Sequence, residues 1–109
     1  MNCKADISAG VCGFKTAVSA SSPDDQMVTL QIETDCPKIG AVAQSLNGKE
    51  IDGYQEIQAG FGGVVMSAAR ASLSGCCAGC IVPAGIFKAL QVAAQVALPK
   101  DATVSLASE

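Results

Sequence analysis

The chain has 109 residues, a net charge of −3, half its residues apolar, six cysteines and no histidine. That length makes one domain, 1–109, able to bury a single core without staples. The absence of His removes Ser–His and Cys–His nucleophile pairs and the common two-His zinc enzyme site.

Taken in chain order, residues 3–8 read as a short edge strand with Ala5 and Ile7 alternating, and the glycines of "AGVCG" break it. Residues 14–20 alternate, with Phe14, Thr16, Val18 and Ala20 on one face. "SSPDDQ" is a turn, and the Asp24–Asp25 pair belongs to that turn rather than to catalysis. "MVTLQIET" at 27–34 places Val28, Leu30 and Ile32 inward, so the two runs form a hairpin.

Pro37 fits the first position of a helix in which Ile39, Val42, Ala43 and Leu46 recur at helical spacing. Asp35 is expected to cap that helix, and "NG" at 47–48 closes it. Residues 49–59 are ambiguous: Ile51, Tyr54 and Ile57 fit a short helix. "GFGG" at 60–63 is a joint and lacks the Lys and Ser/Thr of a phosphate loop. Residues 64–74 form a helix with a polar stripe of Ser67, Arg70 and Ser74, and Gly75 is its expected C-cap. Pro83 opens the longest helix, 83–98, which Pro99 stops. Residues 102–108 alternate again, with Ala102, Val104 and Leu106 facing one way, and read as a last strand. The resulting order, β-β-β-α-α-α-β, is an α+β fold: a small antiparallel sheet with helices packed on one face.

The basic residues are scattered and aromatics are few, which excludes nucleic acid. No apolar run reaches a membrane span, and no secretory h-region is visible at the N-terminus. The expected compartment is therefore cytoplasmic, where disulfides do not persist and clustered cysteines point to metal or catalysis.

Four cysteines fall at breaks between elements. Cys12 lies between glycines, Cys36 precedes a helix in "TDCP", and Cys77 and Cys80 form C-x-x-C ahead of another helix. A helix N-terminus favours a thiolate, and Cys36 and Cys80 have that placement. Four thiolates suit a closed tetrahedral zinc site or an iron–sulfur cluster. The spacing C-x23-C-x40-C-x2-C is not that of a zinc ribbon. Two other readings stand beside the metal: buried inert thiols, and a thioredoxin-like dithiol, which no βαβ pattern precedes. Cys3 reads as filling on a strand and Cys76 as structural.

"AGVCGF", "VTLQIETDCP" and "CIVPAGIFKALQVAAQVALPKD" together resemble DUF6951, a family of small prokaryotic proteins without an assigned activity. The resemblance covers nearly the whole chain. It implies that Cys12, Cys36 and Cys80 match the family's cysteines and that Cys77 stands where the family tends to place His. A His-to-Cys exchange keeps a metal ligand. Ile81 departs from the family's Pro. The order V-C-G, Cys before a helix, Cys before the last helix is also similar to iron–sulfur assembly scaffold proteins. Their Asp after Cys-Gly is replaced here by Phe14, and their His beside the last Cys is missing.

The sequence thus predicts a metal- or cluster-binding protein, with ligands Cys12, Cys36, Cys77 and Cys80, acting as scaffold, carrier or electron-transfer protein rather than as an enzyme. The expected partners are the metal ion or cluster and a protein, a homodimer being one form. The rival is a structural or interaction domain with buried or redox-active cysteines. An enzyme using Cys80 as nucleophile in sulfur transfer lacks a base.

Overall fold

The computed structural model describes residues 1–109. Three strands follow one another as a meander: β1 (Asn2–Ser8), β2 (Lys15–Ser21) and β3 (Met27–Thr34). All pairs are antiparallel, with Asn2 opposite Ser21, Ser8 opposite Lys15, and Thr16 opposite Thr34. The period-two pattern decides the faces. Ile7, Val18, Ala20, Val28, Leu30 and Ile32 are buried on one side, while Lys4, Asp6, Lys15, Ser19, Gln31 and Glu33 face solvent. The β2–β3 turn holds itself closed through Asp24, whose Oδ1 accepts from the N–H groups of Gln26 (3.0 Å) and Met27 (2.9 Å).

Helix α1 (Pro37–Leu46) begins as predicted, with Pro37 in its first turn. Its N-cap is Cys36, not Asp35, and no side chain caps it. Asn47 ends it. The Asn47 amide then bonds Ile32, accepting from its N–H at 2.7 Å and donating to its carbonyl at 3.1 Å. A side chain thus extends the sheet where the backbone has turned away.

The fourth strand is β4 (Glu50–Asp52), paired to β3 with Ile51 opposite Val28, so the sheet order is β1-β2-β3-β4. It falls within the ambiguous stretch, and the order becomes β-β-β-α-β-α-α-α. Residues 102–108 form no strand and are exposed throughout, which corrects the expectation of a final strand there. Alternation needs a partner edge to become a strand, and none receives this segment. Asp52 caps α2 (Gly53–Ala59), accepting from Tyr54 and Gln55 N–H.

After a 3-10 turn at Gly60–Gly62, α3 (Val64–Ser72) is capped from a distance. The buried Glu56 carboxylate accepts from Val64 N–H at 2.8 Å and Val65 N–H at 3.0 Å. The helix stops at Leu73, before the predicted Gly75 cap. A second 3-10 segment, Gly75–Gly79, leads to α4 (Val82–Ala93), which is shorter than the predicted 83–98. Residues 75–93 are apolar enough to imitate a membrane span. The break at Cys80–Ile81 leaves α4 about 18 Å long, well short of a bilayer core.

Helix α4 crosses β1 and β2, α1 lies on β3, and α3 wedges between the two helices. Their buried faces, including Ile39, Leu46, Val65, Ile86 and Leu90, join the inner side of the sheet in one core of Ala, Val, Ile and Leu. At Gly85 helix α4 lies close against β1: a Cβ there would collide with the Ile7 side chain.

Candidate metal centre

The antiparallel meander brings the thiol-bearing segments to one end of the sheet. Ser8, Lys15 and Thr34 all lie there, so the β1–β2 loop and the β3–α1 junction emerge side by side. The first turns of α4 pass over Ile7, at the same end. Cys12, Cys36 and the Cys77–Cys80 turn are therefore neighbours in topology.

Cys12 sits on the tip of the β1–β2 loop. Gly10 (φ +94°) and Gly13 (φ +75°) adopt the left-handed conformation that glycine tolerates best. Gly13 N–H bonds Gly10 carbonyl at 2.9 Å, which turns the Val11–Cys12 pair out into solvent.

Cys36 is half-buried, and its own N–H bonds Thr34 Oγ1 at 3.2 Å. Its carbonyl accepts the first helical bond of α1, from Gly40 N–H at 2.8 Å. Its position is thus fixed by backbone on both sides, and its side chain packs on the edge of the core.

Cys77 and Cys80 are the ends of one hydrogen-bonded turn: Cys80 N–H donates to Cys77 carbonyl at 3.1 Å. Ala78 and Gly79 between them are small and exposed, so nothing bulky stands over the turn. Both cysteines are half-buried. Cys80 also borders a groove of about 280 Å³ between α3 and α4, lined by Phe61, Met66, Leu73 and Pro83. Arg70 is the one charged group of that groove, and its guanidinium is tied to Phe61 carbonyl and to Ser67 Oγ.

All six cysteines are free thiols. Although the segments share one end of the fold, no three Cys, Asp or Glu side chains converge into a group that holds a metal ion. The fold joins Cys77 and Cys80 in one turn and leaves Cys12 and Cys36 on separate segments. Cys3 fills the inner face of β1 as expected, and burial pushes its thiol pKa up. Cys76 is exposed, so it has no packing role, contrary to its structural reading.

A second, shallow depression lies on the solvent face at this end, among Asp6, Lys15, Glu33 and Asp35. Lys15 Nζ is held by Ser8 Oγ at 2.8 Å. Two features of the region escaped the sequence reading. The Glu56 cap gave no signal, because its partners lie eight and nine residues away across a turn. The Cys80 groove needs α3 and α4 side by side, which no local pattern announces.

No curated protein and no solved structure matches the chain. The similarity to iron–sulfur assembly scaffolds therefore rests on motif order alone. A family match covers residues 3–106, from the start of β1 to Leu106 in the tail. The chain belongs to DUF6951, a family of unknown function.

Proposed function

We propose that the chain is a small cytoplasmic thiol protein that takes up zinc or an iron–sulfur cluster, serving as scaffold, carrier or electron-transfer protein. The observation that carries this reading is the Cys77–Cys80 turn, two thiols on one hydrogen-bonded bend directly before α4. Such a bend is half of a tetrathiolate site. Cys12, on a loop hinged by two glycines, and Cys36, at the neighbouring helix start, supply the remaining ligands by loop closure. Metal binding and local ordering are coupled in sites of this kind, and the loop bearing Cys12 has few contacts that oppose its movement.

Purification without oxygen, with measurement of bound metal, labile sulfide and the visible spectrum, tests the proposal. Metal or sulfide in proportion to protein, lost on Cys77→Ser and Cys80→Ser, is the expected result. Apoprotein that stays free of metal and charge-transfer bands after reconstitution with zinc or with iron and sulfide overturns it.

The separation of the donor side chains favours a second reading, an interaction domain whose Cys77 and Cys80 form a redox pair. Thiol titration with and without reductant separates the two. A reducible Cys77–Cys80 bridge, without bound metal, supports the second.

A further inference from the structure

The free edge of the sheet and the free end of the chain have matching patterns. Strand β1 pairs with β2 on one side and with nothing on the other. Ser22 N–H bonds Met1 carbonyl at 3.1 Å, and Ala9 N–H bonds Phe14 carbonyl at 3.2 Å. Odd-numbered residues of β1 therefore turn their backbone groups toward β2. With the alternation of an antiparallel ladder, Asn2, Lys4, Asp6 and Ser8 point theirs outward, where no strand meets them. An open edge of this kind is a template for another strand.

The tail carries a strand's pattern without a strand's pairing. Ala102, Val104 and Leu106 alternate with Thr103, Ser105 and Ala107, and Val104 and Leu106 are 69% and 92% exposed. The family match runs through Leu106 and so takes in residues 102–106 of this segment. Edge and tail agree in length, since β1 has seven residues and 102–108 is the same count. The opposite edge, β4, has three. They agree in facing too. An apolar face of the tail would continue the inner side of β1 beside the half-buried Cys3 and Ala5, and Thr103 and Ser105 would join the polar outer side.

The direction of the chain selects the partner. Ala94 packs against Gly53, and the Gln95 side chain lies beside Asp25, which ion-pairs with the Met1 amino group at 3.0 Å. The tail thus departs next to the start of β1. Docking on its own edge would run it parallel to β1, the weaker pairing per residue, and it lies undocked although that edge is near. A second copy can enter from the Ser8 end and pair antiparallel. We propose that residues 102–108 add as a fifth, antiparallel strand to the β1 edge of a second copy, two copies exchanging tails about a two-fold axis.

The test is the mass of the full chain in solution by light scattering over a concentration series. Three variants accompany it: a chain ending at Pro99, Leu106→Asp, and Lys4→Pro. Lys4→Pro removes an outward N–H and leaves the β1–β2 ladder intact. The truncation removes only exposed residues outside every element. The expected result is a concentration-dependent dimer for the natural chain and monomers for all three variants, each still unfolding cooperatively in urea, as a folded core requires. A natural chain that stays monomeric throughout, a dimer that survives truncation, or tail amides protected from exchange in a monomer overturns the proposal.

Discussion

Glu56→Gln isolates what the buried carboxylate does for the start of α3. Glu56 is 3% exposed and binds the first two N–H groups of α3, one of them on the fully buried Val65. Helix α3 has no other side-chain cap, and a Cβ on its N-cap Gly63 would come within 2.6 Å of the carboxylate. Glutamine keeps one acceptor oxygen but sets its amide N–H₂ against the second backbone donor. One buried donor is then unpaired, at a cost of about 1–3 kcal/mol, and the favourable anion at the helix start is lost, about 0.3–1 kcal/mol more. Glu56→Ala leaves both donors unpaired and is expected to cost about 3–5 kcal/mol. Against a total stability of roughly 5–15 kcal/mol, glutamine should leave a folded protein and alanine a marginal one. Urea unfolding followed by far-ultraviolet circular dichroism measures both, since the chain lacks Trp. Amide exchange at Val64 and Val65 should accelerate in step. A Glu56→Gln midpoint shift worth under about 0.5 kcal/mol, within the range of neutral surface changes, would refute the reasoning.

Three further outcomes follow from the packing and the charges. Gly53→Ala forces a methyl to 2.8 Å from Ala94 Cβ and 3.2 Å from Gln26 carbonyl, and should destabilise by about 1–3 kcal/mol; Gly40→Ala, which meets nothing within 4 Å, should be neutral or stabilise by up to about 1 kcal/mol. Equal urea midpoints for the two would contradict this. Backbone N–H groups of Met27 and Gln26 hold Asp24 below the usual carboxylate range, and Gln55 N–H and the Gln26 side chain do the same for Asp52. With folded pKa values depressed, their contribution is present above the unfolded value near 3.9 and is lost as pH falls through the lower folded values. Unfolding midpoints should therefore drop in acid, and Asp24→Asn should flatten that drop; an unchanged slope would count against it. Among the thiols, burial raises Cys3, so alkylation mapped by mass spectrometry at neutral pH should reach the exposed Cys12 and Cys76 first. Labelling of Cys3 as fast as Cys12 would argue otherwise.

What the sequence made legible was whatever is local. The alternation of Met27–Thr34 matched β3 residue for residue, and Pro37 marked the start of α1. Strand β4 is three residues long, too short for a period to show, and it exists because β3 offers an edge at Val28. Residues 102–108 are the converse: they have the period and meet no edge. The cysteines behaved likewise. Their placement at element boundaries could be read directly, and so could the C-x-x-C of Cys77 and Cys80 ahead of a helix; the 3-10 turn that joins them is seen only in the fold. Whether Cys12 and Cys36 approach that turn depends on how three separate connections sit over the sheet, which no single stretch encodes.

The contact between Ile7 and Gly85 joins the first element of the chain to the last helix. During synthesis β1 leaves the ribosome long before α4 exists. The meander can form from neighbouring strands as they emerge, since each pairs with the next. Its inner side, with Ile7, Val18 and Leu30, then waits without a cover until residues 82–93 arrive. The same late arrival brings Cys77 and Cys80 to the end of the sheet where Cys12 and Cys36 already stand. Closing the core and bringing these four cysteines to one end of the fold are therefore one event, and both wait for residues 82–93.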